Sequence, residues 1–173
     1  AVTRSITETP KPVIAMVNGV AAGAGCSWCL ACDIIFCGTS ARFAQSFSRV
    51  GLIPDGGLSF FLTRTLSLYK AKELAFTADV IDAKTALEIG LINRMVEDAQ
   101  LPEATCQFAA RLASGAPVSL GMIKKSMNRG INLGLEDCFE MEIGMQLVCM
   151  ETEDHKEGIK AFKEKRAPVF KGR

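Results

Sequence analysis

The feature that most constrains the fold is a glycine-rich turn between an apolar run and an alanine- and cysteine-rich segment, VIAMVNGVAAGAGCSWCLACD in residues 13–33. The apolar run 13–17 lies between Pro12 and Asn18-Gly19 and predicts a buried strand. Residues 24–32 contain no β-branched side chain, which favours a helix. Residues 33–37 predict a second strand. Strand, turn, helix and strand in this order indicate an α/β unit, in which ligands bind at the carboxyl ends of strands.

The remaining elements follow from apolar periodicity and from glycine and proline breaks. A short polar lead precedes the first strand, and Asp82 is the expected N-cap of a helix that Gly90 ends. We further predict strands near 42–44 and 92–96 and helices near 57–66, 69–77, 101–113, 117–129, 134–150 and 158–166. The chain therefore divides into an α/β part, residues 1–98, and a helical region, residues 99–173.

Composition excludes several classes of protein. The chain has 173 residues, of which 49% are hydrophobic and 23% charged, as in ordinary globular proteins. A net charge of +1 provides no field that would attract nucleic acid or an anionic membrane. We expect neither as a partner, and no apolar run is long enough to span a bilayer. The seven cysteines are an odd number, which favours reduced thiols and a cytoplasmic location, with the mitochondrial matrix as the alternative.

Cys26, Cys29 and Cys32 recur at every third position behind the glycine-rich turn. This spacing occurs in iron–sulfur ligand runs, with Cys37 as a conceivable fourth ligand. Such runs need an irregular loop around the cluster, whereas the intervening residues here suit a buried helix. We therefore expect the sulfurs to pack in the core and predict no metal site.

The glycines offer a different kind of site. Gly19, Gly23 and Gly25 bracket the start of the predicted helix, whose first N–H groups have no intrahelical acceptor. Such donors can hold a developing negative charge. The spacing is not that of a dinucleotide fingerprint or of a phosphate loop. The alternative is a tight turn that binds nothing.

Several separated motifs, in order, resemble the crotonase (enoyl-CoA hydratase/isomerase) superfamily. They are PKPVIAMVNG from Pro10, A-x-G-x-G from Ala21, ACD, ARF, GLIP, LTR and the closing FKEKR. The resemblance implies a crotonase-like ββα core followed by a helical trimerisation region. It also implies that the chain lacks the N-terminal strands, about a third of a family member. Expected partners are an acyl-CoA thioester and further copies, as a homotrimer or a dimer of trimers.

By this resemblance, two backbone N–H groups stabilise a thioester enolate. One falls on Ala24, flanked by Ala22, Gly23 and Gly25 as substrate-binding positions. The other belongs to an earlier loop that the sequence lacks. Coenzyme A enters only as part of the substrate, and no separate cofactor is expected.

The catalytic acids of the family are only partly present. Ser27 and Phe47 stand where hydratases carry two glutamates, and neither can act as a general base. We expect both, with Val50, to contact substrate. Asp55 lies where related isomerases carry their acidic base, and apolar neighbours would tune its pKa. The alternatives are that Asp55 only caps the following helix, or that it is a nucleophile as in dehalogenases of the superfamily.

Three further groups have weaker signals. Phe162 and Lys165 match positions near the CoA adenine and 3′-phosphate, although a solvated charged face is an equal alternative. His155, the single histidine, is expected to be exposed. The methionines of residues 101–150 indicate core and trimer interface, or else an acyl pocket.

The resemblance and the residues together favour an enzyme that shifts a double bond of an enoyl-CoA, with Asp55 as acid and base. Two alternatives stay open. One is a hydratase or other crotonase reaction that uses groups from the absent segment. The other is a catalytically inactive homologue that binds acyl-CoA.

Overall fold

A computed structural model describes residues 2–173, which form two compact units. The first contains residues 2–7 and 13–107, and the second contains residues 8–12 and 108–173. Within residues 2–173, no helix combines the length and the apolar character that crossing a bilayer requires.

The first unit alternates short strands with short helices. In chain order its elements are α1 (Val2–Glu8), β1 (Ile14–Val17), β2 (Val20–Ala22), α2 (Ala24–Ala31), β3 (Ile34–Gly38), β4 (Arg42–Ala44), α3 (Leu58–Thr65), α4 (Leu68–Thr77), β5 (Val80–Asp82), α5 (Ala83–Glu88) and β6 (Arg94–Val96). The helix α6 (Leu101–Ala113) follows them.

The six strands form two three-stranded sheets. One is fully parallel in the order β1-β3-β6, with Ile14 opposite Ile34. In the other, β4 lies between β2, which is parallel to it, and β5, which is antiparallel. Each successive pair of strands, β1 with β2, β3 with β4 and β5 with β6, therefore contributes one strand to each sheet. The predicted α/β class is confirmed.

The predicted strands β1, β3, β4 and β6 and the helices α2 to α6 are present within a few residues of the expected bounds. Asp82 caps α5 as predicted, with its Oδ1 accepting a hydrogen bond from Thr85 N at 2.8 Å. Three elements had not been predicted. The polar lead is the helix α1, and β2 and β5 are strands of three residues each.

The core of the first unit lies between the sheets and the helices α2 to α5. Phe43 on β4, Cys26 on α2 and Leu58 on α3 are almost completely buried in it. Asp33 fixes the entry into β1 because its Oδ2 accepts a hydrogen bond from Val13 N at 2.7 Å.

The second unit is helical. It comprises the last part of α6, residues 108–113, together with α7 (Pro117–Gly130), α8 (Leu135–Met150) and α9 (Glu153–Glu164), and α7 and α8 lie within about a residue of their predicted bounds. The prediction that the last helix starts at residue 158 was wrong. Thr152 caps α9 with its hydroxyl, which accepts a hydrogen bond from His155 N, so the helix begins five residues earlier. His155 is exposed, as expected.

Candidate active site

The start of α2 presents backbone donors without a side-chain cap. Gly23 precedes the helix with φ 51° and ψ −123°, a conformation that is open mainly to glycine. Its N–H donates to Ala44 O at 3.1 Å, which ties the turn to the end of β4. Ala24 occupies the first helical position, where the N–H has no intrahelical acceptor. This end of α2 is therefore suited to stabilise negative charge.

Ser27 lies one turn further along α2 and is completely buried. Its Oγ donates to the backbone carbonyl of Asp55 at 2.9 Å and also lies 3.3 Å from the carbonyl oxygen of Gly23, the longer of the two contacts. The side chain at this glutamate position is thus engaged with the protein backbone. The contact brings the first turn of α2 next to the loop that contains Asp55.

Asp55 is exposed in the loop between Pro54 and Gly56. Its carbonyl also accepts a hydrogen bond from Leu58 N at 3.0 Å, whereas no side chain caps α3 at Gly57. Among residues 2–173, no group forms a hydrogen bond or an ion pair with the Asp55 carboxylate. The alternative role as a helix cap is therefore not the one that the structure shows.

Phe47 and Val50 have different surroundings. The Phe47 ring is buried, and its tip lies 3.8 Å from the position that a β-carbon on Gly23 would take. Phe47 therefore packs against the turn before Ala24. Val50, at the end of a short 3-10 helix from Ser48 to Val50, is 71% exposed. Phe47 thus contacts the turn, whereas Val50 is largely open to solvent.

Gln45 is a residue that the sequence analysis missed. It follows β4 and is 2% exposed, and its Nε2 donates to Cys26 Sγ at 3.6 Å. Its Oε1 is buried without a hydrogen-bond partner among the described residues. A glutamine between Ala44 and Ser46 has no signal in the sequence that distinguishes it from a surface residue.

Two of the three cysteines behind the turn pack in or against the core as predicted, whereas Cys32 is half-buried and its Sγ donates to Trp28 O at 3.3 Å. Cys26 and Cys37 are completely buried in the core, and Cys29 packs against it. Burial raises the pKa of the Cys26 thiol to about 12 and that of Cys37 to about 11. The geometry matches core packing and lacks the irregular loop that an iron–sulfur cluster requires.

The two positions expected near the CoA nucleotide belong to the second unit. Phe162 on α9 is 85% exposed. Lys165 follows α9 with φ +54° and is exposed. Both side chains are accessible to a ligand or to another chain.

A groove of about 570 Å³ runs between α7 and α8 in the second unit. Methionines at 122, 145 and 150 line it, together with Ile123 and Ile143. The expectation that these methionines are core was wrong, because α8 has no buried residue and the methionines are exposed or half-buried.

Comparison with known proteins covers the whole chain. The family profile described as enoyl-CoA hydratase/isomerase matches residues 1–173. A 1,2-epoxyphenylacetyl-CoA isomerase from Escherichia coli is 38% identical over 170 residues, which cover 98% of this chain and 65% of the relative. A probable enoyl-CoA hydratase from Rhodobacter capsulatus is 37% identical, with 98% and 66% covered.

Solved structures agree with these relatives. The crystal structure of an enoyl-CoA hydratase from Bacillus anthracis superposes with a TM-score of 0.96 at 34% identity, covering 99% of this chain and 66% of that one. The chain thus spans just under two thirds of the length of the curated relatives that it matches. The family match over residues 1–173 and the superposition lead to one conclusion: this chain belongs to the enoyl-CoA hydratase/isomerase family.

Proposed function

We propose that the chain is part of an enzyme that binds an enoyl-CoA and moves its double bond through a thioester enolate. The observation that carries this proposal is the junction between α2 and the Asp55 loop. It joins an uncapped helix start at Ala24 to a segment that carries an exposed, unpaired carboxylate.

The chemistry needs one base and one anion-stabilising group. The Asp55 carboxylate removes a proton from C2 of a 3-enoyl thioester, and the electron pair moves onto the thioester oxygen. The Ala24 N–H holds that oxyanion, a contribution worth several kcal/mol in enzymes that use such donors. Asp55 then returns the proton to C4, which leaves the double bond between C2 and C3. Coenzyme A takes part only as a portion of the substrate.

The relatives include both isomerases and hydratases. The E. coli relative is named an isomerase, as is a trans-2-decenoyl-[acyl-carrier-protein] isomerase from Streptococcus mutans at 34% identity. Others are named hydratases. We favour isomerisation because Ser27 donates to a carbonyl and Phe47 is apolar, so neither can activate water.

The test is the substitution Asp55→Asn in the full-length protein. We expect kcat for conversion of a 3-enoyl-CoA to the conjugated 2-enoyl-CoA to fall at least about 100-fold, because general acid–base catalysis is lost. The measurement is the absorbance of the conjugated thioester, and Asp79→Asn, at another exposed aspartate, is the control. Undiminished turnover in Asp55→Asn contradicts the mechanism.

Two other outcomes identify the alternative functions. Formation of a 3-hydroxyacyl-CoA from a 2-enoyl-CoA, unaffected by Asp55→Asn, identifies a hydratase whose acids lie outside residues 1–173. Tight binding of an acyl-CoA without any product identifies an inactive homologue. Ser27 and Phe47, which stand where hydratases carry catalytic glutamates, are consistent with that outcome.

We also propose that the protein is a homotrimer or a dimer of trimers. The apolar residues of α8 support this, because Phe139, Ile143 and Leu147 are each about half exposed or more. These residues are four apart and form one apolar helix face, which is normally covered. A cytoplasmic location fits the seven cysteines, all of which are free thiols.

A further inference from the structure

Two hydroxyl groups donate to consecutive carbonyls of the loop that contains Asp55. Ser27 Oγ on α2 lies 2.9 Å from Asp55 O. Thr3 Oγ1 on α1 lies 2.7 Å from Gly56 O. We call Thr3 and Ser27 the hydroxyl pair.

The loop lies directly against the hydroxyl pair. A β-carbon on Gly56 would come within 3.0 Å of Ser27 Cβ and 3.8 Å of Thr3 Oγ1. A β-carbon on Gly57 would come within 3.4 Å of Thr3 Cγ2. Both glycines have positive φ, +62° and +90°. The backbone path after Asp55 therefore depends on glycine and on the two hydroxyls that contact it.

The Asp55 side chain makes no hydrogen bond or ion pair of its own among residues 2–173. Its position is therefore set by its backbone. Ser27 lies on the helix whose first N–H is that of Ala24. The Ser27–Asp55 hydrogen bond thus connects the oxyanion donor and the base through the first turn of α2.

We propose that Thr3 and Ser27 are positioning residues that hold the Asp55 carboxylate at the distance from the Ala24 N–H that proton transfer requires. The proposal rests on the function proposed above. Neither hydroxyl contacts the substrate in this role. Removing one shifts the base while substrate binding is kept, and displacements of about 1 Å can cost about 100-fold in rate.

Removing either hydroxyl group leaves its carbonyl partner with another hydrogen-bond donor. Asp55 O keeps its hydrogen bond from Leu58 N when Ser27 is changed to Ala. Thr3 is only half buried, so water can reach Gly56 O in Thr3→Val. Thr3→Val also conserves the volume of the side chain, and Thr3→Ser conserves the donor.

The experiment measures kcat and KM for the 3-enoyl-CoA in the full-length protein. We expect Ser27→Ala and Thr3→Val each to lower kcat about 10-fold or more with KM changed less than about twofold, the signature of a loss confined to the transition state. Thr3→Ser should stay within about twofold of the wild type. In the Asp55→Asn background, Thr3→Val should cause no further loss.

The matched control is Thr105→Val. Thr105 is buried in the first unit, and its hydroxyl donates to Leu101 O at 2.8 Å. The substitution Thr105→Val therefore also removes a threonine-to-carbonyl hydrogen bond. We expect its kcat to be unchanged. An equal loss in Thr105→Val, or a further loss from Thr3→Val in the Asp55→Asn background, means general destabilisation and overturns the proposal.

The remaining outcomes separate this proposal from the proposed function. Loss in Asp55→Asn, with full activity in Ser27→Ala and Thr3→Val, overturns the role of the hydroxyl pair alone. Full activity in Asp55→Asn overturns both. If Ser27→Ala fails to fold, the comparison of Thr3→Val with Thr3→Ser decides the question.

Discussion

Glu157 on α9 holds the C-terminal segment through both of its carboxylate oxygens. Arg166 donates to them at 2.6 and 2.9 Å, and Val169 N donates to Oε1 at 3.0 Å. Arg166, with the Val169 N–H, lowers the pKa of the Glu157 carboxyl from 4.5 to about 2. Asp154, which is buried, accepts from Lys171 N and Gly172 N in the same segment. Single carboxylates therefore attach residues 166–173 to α9.

The effect of Glu157 on stability should depend on pH. Because the folded-state pKa is depressed, the stabilisation is present above about pH 4.5 and is lost as the pH falls towards 2. We expect Glu157→Gln to unfold at lower urea concentration than the wild type at neutral pH and to converge with it in acid. The measurement is the urea midpoint across this range. Glu151→Gln, at an exposed glutamate, should show no such convergence, and a pH-independent difference for Glu157→Gln contradicts the assignment.

At the scale of elements, capping side chains determine where the helices begin. Thr152 accepts a hydrogen bond from His155 N and donates to Cys149 O at 2.7 Å, and Glu153 and Asp154 occupy the first turn of α9. Threonine followed by acidic residues is a helix-start pattern. This signal was present in the sequence, and the prediction of a start at residue 158 overlooked it.

Thr152→Ala should lower the free energy of unfolding by about 1 kcal/mol, because the N-cap acceptor for the His155 N–H is lost. The measurement is equilibrium urea unfolding monitored by helical circular dichroism. Thr152→Ser keeps the hydroxyl and should lie within about 0.5 kcal/mol of the wild type. Equal destabilisation by both substitutions would show that the lost methyl group, and not the cap, is responsible.

At the scale of the whole molecule, the apolar surface of α8 is the feature that most needs a partner. Ile143 is 62% exposed and Leu147 is 57% exposed, and residues four apart share a helix face. Exposed apolar surface of this kind marks protein–protein contact sites.

Ile143→Glu should convert the proposed oligomer to smaller species, because it places a charge in an apolar interface. Sedimentation velocity at micromolar concentration measures the outcome. Tyr69→Glu, at an 88% exposed residue of α4, is the control and should leave the assembly intact. A wild-type monomer, or an Ile143→Glu variant of unchanged mass, rules out α8 as the interface.

Several parts of the fold were predictable because their causes are local. The apolar run of β1, the helix-favouring composition of α2 and the Asp82 cap each lie within about ten residues. The family resemblance rests on motifs in their order along the chain, and it selected Ala24 and Asp55. Their role in catalysis is still a prediction.

The sequence by itself determined the α/β class, most helices and the family, because these depend on short-range preferences and on residue identity. Only the tertiary structure decided that β2 and β5 are strands, since three-residue segments become strands only through hydrogen bonds to β4. It also decided the Ser27–Asp55 contact and the buried site of Gln45. Ser27 and Asp55 are 28 residues apart, and no local pattern encodes which carbonyl a distant hydroxyl will meet once the chain has packed.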